Sequence, residues 1–365
     1  MANNQTQDKI NNAVKRSVKK NVRRQTKKVA KRSPVGFVIF LLVILALYLG
    51  MCGLDHNNVD LGIHVDSEVF GRELKIDNFD IQYGDFELDF TEINVLGKIL
   101  PENIASVPVP ADGEAIFHFI DVGQGDAILI TTKGGNILID TSEPGAHDQL
   151  DAYLRSANVT ELKYLVLTHP DADHIGNAEE IIRSYKVDTV VMSEYVGTTK
   201  TYERVLDAIE DEKCNVLIGE AGESFVLEGL KCVFLGPVGD YGDPNEMSLV
   251  IKAIYGDTSV MLTGDAEEKS EEDILKRWSK DTLKCDILKV GHHGSSSSTT
   301  KAFLDAVDPE IAVISCGDGN KYGHPHAETL NRLEGKVFRV WRTDKDGTIV
   351  YKTDGKSLTL VDSGK

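Results

Sequence analysis

The stretch Thr168-His169-Pro170-Asp171-Ala172-Asp173-His174 places two imidazoles and two carboxylates within seven residues. The apolar run Tyr164-Leu165-Val166-Leu167 before it predicts a buried strand, and residues 175–182 after it predict the start of a helix. Open α/β sheets bind ligands on loops that leave the carboxyl ends of strands. Imidazole and carboxylate groups are ligands for divalent metals such as zinc or manganese. The stretch therefore predicts a metal-binding loop in an α/β fold, and its spacing favours two adjacent ions.

Further side chains of the same chemistry follow other apolar runs. Asp265 follows residues 259–262, the pair His292-His293 follows residues 286–290, and His324 comes shortly after residues 311–314. An ordinary polar turn with an Asp at a helix N-cap is the alternative interpretation of residues 168–174. The recurrence of candidate ligands at strand ends favours the metal site.

The net charge of −18 conceals two oppositely charged parts of the chain. Residues 1–33 carry eleven Lys and Arg against one Asp, so the remaining residues hold 29 basic and 57 acidic side chains, a net charge of −28. Residues 34–54 between them are uncharged and apolar, and that length can cross a bilayer as a helix. The positive-inside rule then predicts a single-pass protein of the cell membrane, with a cytoplasmic N-terminus and the acidic part outside.

The basic arm, residues 1–33, has its own pattern, because Ile10, Val14, Val18 and Val22 recur at helical spacing among Lys and Arg. This pattern predicts a helix that lies on the anionic lipids of the inner leaflet, with nucleic-acid binding or a solvated tail as alternatives. No small-residue cleavage site supports a signal peptide, and Leu49-Gly50-Met51-Cys52 is only a poor match to a lipoprotein signal.

The four cysteines after the apolar segment show no CxxC spacing. We expect them to be buried thiols, with a Cys214–Cys232 disulfide as the alternative.

The rest of the chain divides at about residue 112. Residues 55–112 form a β-rich connector, because residues 73–79 and 85–90 alternate polar and apolar side chains as half-exposed strands do. Residues 113–365 contain two successive cycles of short strands followed by helices. Two such cycles predict an α/β sandwich of two facing mixed sheets with helices outside.

The motifs of this second part resemble those of a known family. His169-x-Asp171-x-Asp173-His174 resembles the HxHxDH signature of the metallo-β-lactamase superfamily, with Asp171 in place of the usual second His. Residues 119–127, 262–267, 289–295 and 322–325 resemble the extracellular hydrolase domain of the ComEC family of competence proteins, and the likeness runs from residue 114 to the C-terminus. The resemblance implies an αββα sandwich with a binuclear metal centre, but one apolar segment cannot form that family's multi-span DNA channel.

The resemblance also implies a ligand set for two divalent ions, zinc or manganese. His169 and Asp171 would bind the first ion, Asp173 and His174 the second, and Asp265 both. His292 is the predicted last ligand of the second ion and His293 the competing choice. The usual third His of the first ion has no clear counterpart, since Asn245 occupies that region.

Other residues are assigned supporting roles by the same resemblance. Asp140, at the end of a predicted strand, resembles the buried carboxylate that orients the metal loop. Asp173 and Asp265 are expected to act in catalysis together with a metal-bridged hydroxide. His324, His293 and Ser295 are expected to hydrogen-bond a substrate phosphate or to protonate the leaving oxygen, and a structural role is the alternative for His324.

These expectations favour a membrane-anchored, extracellular phosphodiesterase or nuclease that acts on DNA or nucleotides. The charge of −28 is the contrary observation, because surfaces that bind long polyanions are basic. An envelope phosphodiester such as a phosphorylcholine-bearing polymer is therefore an alternative substrate. Acyl or lactam hydrolysis, or a non-enzymatic accessory module of DNA uptake, are further alternatives. The sequence gives no basis for predicting an oligomeric state.

Overall fold

A computed structural model describes residues 64–69, 72–77, 80–83, 86–89 and 107–363, and the chain forms two compact units, residues 1–105 and 106–365. The first unit contains an antiparallel sheet of β1 (His64–Val69), β2 (Arg72–Asp77), β3 (Asp80–Tyr83) and β4 (Phe86–Asp89), paired in that order. The predicted basic arm, residues 1–33, and span, residues 34–54, lie outside the described residues. Within the described ranges, no helix combines the length and apolarity that crossing a membrane requires.

The second unit contains fifteen further strands among its described residues. In chain order they are β5 (Ala115–Phe119), β6 (Ile128–Thr132), β7 (Gly135–Ile139), β8 (Glu161–Leu167), β9 (Lys186–Met192), β10 (Asn215–Ile218), β11 (Ser224–Leu227), β12 (Leu230–Gly236), β13 (Val250–Tyr255), β14 (Thr258–Leu262), β15 (Ile287–Lys289), β16 (Ile311–Ile314), β17 (Arg339–Arg342), β18 (Ile349–Thr353) and β19 (Leu358–Ser363). One sheet has the order β10-β9-β8-β7-β6-β5-β18-β19, and the other has the order β11-β12-β13-β14-β15-β16-β17.

Helices separate many of these strands. They are α1 (His147–Ser156), α2 (Ala172–Ile175), α3 (Ala178–Ser184), α4 (Lys200–Glu212), α5 (Glu268–Arg277), α6 (Lys280–Leu283), α7 (Lys301–Val307), α8 (Ala327–Leu333) and α9 (Thr343–Asp346), with a 3₁₀ helix at Gly291–Gly294. Three of these helices have a side-chain N-cap: the hydroxyl of Thr199 accepts the amide of Tyr202 at the start of α4, and Ser279 and Thr300 cap α6 and α7 in the same way.

Three hydrophobic clusters define the layers of the second unit. The central cluster joins the two sheets, since it contains Phe117 and Ile137 from one sheet and Ile251 and Val260 from the other. A second cluster packs α1, α3 and α4 on the outer face of the eight-stranded sheet, and a third packs α5, α7 and α8 on the outer face of the seven-stranded sheet. This is the predicted αββα sandwich, so the fold class of residues 113–365 is confirmed.

The differences from the predicted elements lie mostly at the sheet edges. Strands β9, β10 and β11 were not predicted. Both β10 and β11 have largely exposed side chains, so they lack the buried apolar runs that identify the inner strands. Cys214 is half-buried and the other three described cysteines are buried; all four are free thiols, so the alternative Cys214–Cys232 disulfide is wrong.

The topology collects several strand ends at one edge of the sandwich. Strands β7, β8 and β9 are parallel to one another in the first sheet, and β14, β15 and β16 are parallel in the second. The loops that follow β7, β8, β14, β15 and β16 carry the predicted site residues other than Asn245, which lies between β12 and β13. The fold therefore provides the physical basis for a site built from both sheets.

Candidate metal centre

The loop after β8 carries two imidazoles and two carboxylates into α2. Asp171 is extended and forms the N-cap of α2, while Asp173 and His174 lie within that helix. The backbone holds the loop from two sides, because the amide of Leu249 donates to the carbonyl of Thr168 and the amide of Asp126 donates to the carbonyl of Asp173. His169 and His174 are buried and their ring centroids are 4.1 Å apart.

Asp140 organises this loop through three hydrogen bonds. Its carboxylate accepts the amide of Thr168 at 2.8 Å, the hydroxyl of Thr168 at 2.7 Å and Nδ1 of His174 at 2.7 Å. A carboxylate only accepts, so Nδ1 of His174 carries a proton and Nε2 is the nitrogen left to bind an ion. The Thr168 hydroxyl gives its proton to Asp140, so it accepts from Nδ1 of His169 at 3.1 Å, which fixes the same tautomer there.

The imidazole of His293 enters from the opposite sheet on a strained turn. His292 and His293 have φ values of 47° and 52°, in the left-handed region that side-chain-bearing residues rarely adopt. Nδ1 of His293 donates to the carbonyl of Ser315 at 3.0 Å, so its Nε2 is likewise the nitrogen left to bind an ion. Backbone strain of this kind costs on the order of 1–3 kcal/mol per residue and is concentrated at functional sites.

These side chains converge on one point. Nε2 of His174 lies 3.2 Å from Oδ1 of Asp265, and Nε2 of His293 lies 3.3 Å from Asp173 and 3.5 Å from Oδ2 of Asp265. One ligand atom from each of Asp173, His174, Asp265 and His293 lies within 4.8 Å of the others, and three of the four residues are buried.

The buried atoms at this point lack partners of their own. Within the described part of the chain, Nε2 of His169, His174 and His293 and Oδ1 of Asp265 have no aligned hydrogen-bond partner. Native structures satisfy nearly all buried polar atoms, so a cluster of unsatisfied ones needs a physical explanation. Imidazole lone pairs and carboxylate oxygens would all be satisfied by divalent cations, and the residues therefore fit a metal centre.

The electrostatics of the cluster point the same way. Burial opposes protonation of His174, but the carboxylates of Asp265 and Asp140 raise its pKa well above the ordinary value. Burial likewise opposes protonation of His293, while Asp265 and Asp126 raise its pKa to about 9. The buried carboxylates thus require positive charge beside them, which protons supply in the metal-free protein and divalent ions would supply in the loaded one.

Some of the predicted metal ligands lie in the cluster and others lie beside it. Asp173, His174 and Asp265 form the cluster together with His293, which was the competing choice of ligand. His292 lies beside it: Nδ1 contacts Glu267 at 2.9 Å, and Nε2 is 3.6 Å from Asp265. His169 contacts the cluster through the ring of His174, whereas Asp171 is half-buried at the N-terminus of α2.

The residues predicted for substrate contact lie at the rim. The ring centroid of His324 is 5.3 Å from that of His292 and 6.3 Å from that of His293. Burial, followed by the neighbouring imidazoles, lowers the pKa of His324 to about 4. The hydroxyl of Ser295 lies 2.8 Å from that of Ser297. Asn245 lies on a turn that also contains Ser248, and the hydroxyl of Ser248 accepts the amide of Asp265.

Sequence reasoning gave no role to several residues that build the site. Thr168 and Ser315 fix histidine tautomers, Glu267 holds His292, and Asp126 and Lys289 form a buried ion pair with Asp126 next to His293. Most of them lie inside the motifs that carry the family resemblance, which was the available signal. Most of their contacts join separate loops, and those of Asp126 join the two sheets, so spacing along the chain does not reveal them.

Comparisons with known proteins agree with this geometry. The model of the metallo-beta-lactamase superfamily matches residues 120–318. The chain is 35% identical to ComE operon protein 3 of Bacillus subtilis over 261 residues, which cover 66% of this chain and 33% of that protein. It is 30% identical to competence protein ComA of Neisseria gonorrhoeae, covering 70% of this chain and 33% of ComA. It is 33% identical to recombination protein 2 of Haemophilus influenzae, covering 63% of this chain and 28% of that protein. The chain thus matches about a third of the length of each relative.

Proposed function

Since this chain belongs to the metallo-β-lactamase superfamily, we propose that it is a metal-dependent hydrolase of phosphodiesters. The observation that carries the proposal is the convergence of unsatisfied imidazole nitrogens and carboxylate oxygens from both sheets. Asp173, His174, Asp265 and His293 would hold one ion, and His169 with Asp171 would contribute to a second. When bound, such ions polarise a phosphoryl oxygen and lower the pKa of a coordinated water.

The residues of the chain itself have separable tasks in this proposal. Asp140 and the Thr168 hydroxyl hold the protons on Nδ1 of His174 and His169, so Nε2 is the nitrogen of each ring that would bind an ion. Ser315 does the same for His293 from the second sheet. His324 reaches the rim as a neutral imidazole, which suits a hydrogen bond to a phosphate oxygen better than donation of a proton.

The nature of the substrate follows from chemistry and from the relatives. Two of the relatives are named for competence or its operon and a third for recombination, which favours DNA or nucleotides. The charge of −28 outside the basic arm and span favours short oligonucleotides over long duplexes. A phosphodiester of the cell envelope would also be compatible with an acidic surface. Assays on both nucleotides and envelope phosphodiesters distinguish these two substrates.

Location is part of the proposal. The basic arm, residues 1–33, would bind anionic lipids of the inner leaflet, and residues 34–54 would cross the membrane. The second unit, residues 106–365, would then face the cell exterior, where it meets incoming or envelope-bound phosphodiesters.

The test uses the full chain, purified in detergent and reconstituted with zinc or manganese. We expect about two divalent ions per chain by elemental analysis, and turnover of at least one of a dinucleotide, a single-stranded oligonucleotide and a phosphorylcholine diester. A folded protein that takes up no ion under these conditions would exclude the metal centre. A metal-loaded protein that cleaves no phosphodiester but hydrolyses a lactam or thioester would show that the substrate is an acyl compound instead.

A further inference from the structure

A buried ion pair lies directly behind the candidate metal centre. Lys289, at the end of β15, has 0% exposure, and its ammonium lies 3.0 Å from Oδ2 of Asp126, which is 1% exposed. The same ammonium donates to the carbonyl of Val290 at 2.9 Å. The other carboxylate oxygen of Asp126 lies 3.3 Å from Nδ1 of His293. The pair thus meets His293 on the side opposite the nitrogen that faces Asp173 and Asp265.

Oδ1 of Asp126 is one of the buried oxygens without an aligned partner among the described residues. It lies 3.3 Å from Nδ1 of His293, whose N–H donates to the carbonyl of Ser315 at 3.0 Å. Metal-bound histidines usually direct their second nitrogen to a carboxylate or carbonyl, and here both types of acceptor stand at one N–H.

The loop that carries Asp126 also touches the first ligand loop. The amide of Asp126 donates to the carbonyl of Asp173 at 3.2 Å, and its carbonyl accepts the amide of Ser142 at 2.8 Å. Gly125 before it has φ +103°, and a Cβ there would lie 2.2 Å from the carbonyl oxygen of Asp173. The loop therefore contacts ligand residues of both sheets, Asp173 with its backbone and His293 with its side chain.

We propose that Asp126 and Lys289 are positioning residues for the metal centre. The carboxylate of Asp126 holds the imidazole of His293 with Nε2 directed at Asp173 and Asp265, and the ammonium of Lys289 fixes that carboxylate and balances its charge. A buried ion pair is a poor source of stability, because desolvation offsets most of its attraction. A pair that orients a ligand histidine has a reason to be buried at this position. The inference rests on the metal centre of the proposed function.

The experiment measures metal affinity instead of turnover. The full chain in detergent is stripped of metal and titrated with Mn²⁺ or Zn²⁺ in competition with a chromophoric chelator, while thermal unfolding of the metal-free protein is followed separately. The variants are Asp126→Asn and the double variant Asp126→Asn/Lys289→Met, in which no buried ion is left without its partner. Lys252→Met is the matched control, because Lys252 is also a buried lysine of the same sheet and its ammonium donates to the carbonyls of Thr282 and Lys284.

We expect the folded double variant to bind the ion on the order of 10- to 100-fold more weakly than the wild type, the usual effect of removing a ligand's hydrogen-bond partner. Lys252→Met should bind as the wild type does, whatever its unfolding temperature. Wild-type metal affinity in a folded double variant would overturn the inference. The ion pair would then only join the two sheets. An equal loss in Lys252→Met would overturn it as well. A wild-type chain that binds no ion is a separate outcome, since it removes the metal centre of the proposed function.

Discussion

Asp265 lies close to three histidines of the candidate metal centre, so its replacement by asparagine is a direct test of that centre. Its carboxylate lies 3.2 Å from His174, 3.5 Å from His293 and 3.6 Å from His292, measured to Nε2 in each case. Asparagine has almost the same shape, so the backbone bond from the Asp265 amide to Ser248 should be retained. The variant changes the charge of one side chain and removes one ligand oxygen.

The expected loss can be estimated from these contacts. Each contact of a charged group contributes on the order of 1.5–3 kcal/mol when it is buried. Loss of the negative charge weakens at least two such contacts, those of Asp265 with a bound ion and with the imidazole of His174, so about 3 kcal/mol or more of transition-state stabilisation should disappear. Each loss of about 1.36 kcal/mol of transition-state stabilisation lowers kcat/KM tenfold. The value of kcat/KM should therefore fall on the order of a hundredfold or more.

The assay is hydrolysis of a dinucleotide and of a nitrophenyl phosphodiester by the zinc- or manganese-loaded full chain. Asp286→Asn is the matched control: Asp286 accepts the amide of Ser259 next to the amino end of β15, away from the ligand loops, and its loss should affect stability alone. A loss of activity that is equal in the two variants would point to unfolding. Full activity of Asp265→Asn on every phosphodiester tested would refute the two-metal reasoning.

Three further predictions address other parts of the molecule. His324→Ala should lower kcat/KM by about tenfold for good and poor leaving groups alike, as expected for a neutral hydrogen-bond donor; a loss that grows with the pKa of the leaving group, measured over a series of aryl phosphodiesters, would instead identify a proton donor. Protease added to intact cells should remove an epitope at the C-terminus and spare one at the N-terminus, and the reverse pattern would contradict the proposed topology. His118 is fully buried beside Tyr153 and burial lowers its pKa to about 3, so below pH 6.5 only the unfolded chain takes up its proton. His118 should therefore contribute a fall of about 2 kcal/mol in the free energy of unfolding between pH 7 and 5, and urea titrations of His118→Gln should show a fall that is smaller than that of the wild type by this amount.

The parts of the site that the sequence predicted are those carried by one local segment. Residues 168–174 combine a strand end, a helix start and four ligand-type side chains, so both the chemistry and the topological position follow from adjacent residues. Asp265 was found in the same way, because it closely follows a buried apolar run. Asp140 directly follows such a run as well, but its role came from the family resemblance. The inner strands were predictable for the same reason: they are buried on both faces and give continuous apolar stretches.

The choice between His292 and His293 was beyond sequence reasoning for a physical reason. In a regular strand or helix, neighbouring side chains point in known directions, but both residues here adopt left-handed backbone conformations. The direction of each ring is therefore set by its tertiary partners, Glu267 for His292 and the carbonyl of Ser315 for His293. The same limit applies to Asp126 and Lys289, which lie 163 residues apart in sequence and meet only when the two sheets pack.

The acidic charge of the chain and a phosphodiester substrate are compatible when the scale of each is considered. At physiological ionic strength the Debye length is about 8 Å, so a small diester in the centre interacts mainly with the charges that surround it. Those charges are the carboxylates of Asp171, Asp173 and Asp265, and two divalent ions would offset them locally. A long duplex would extend over the rest of the acidic surface and be repelled there, since neutralised phosphates supply most of the affinity for DNA. The charge distribution therefore favours a short or single-stranded substrate, or a single phosphodiester of a larger polymer, over binding along a duplex.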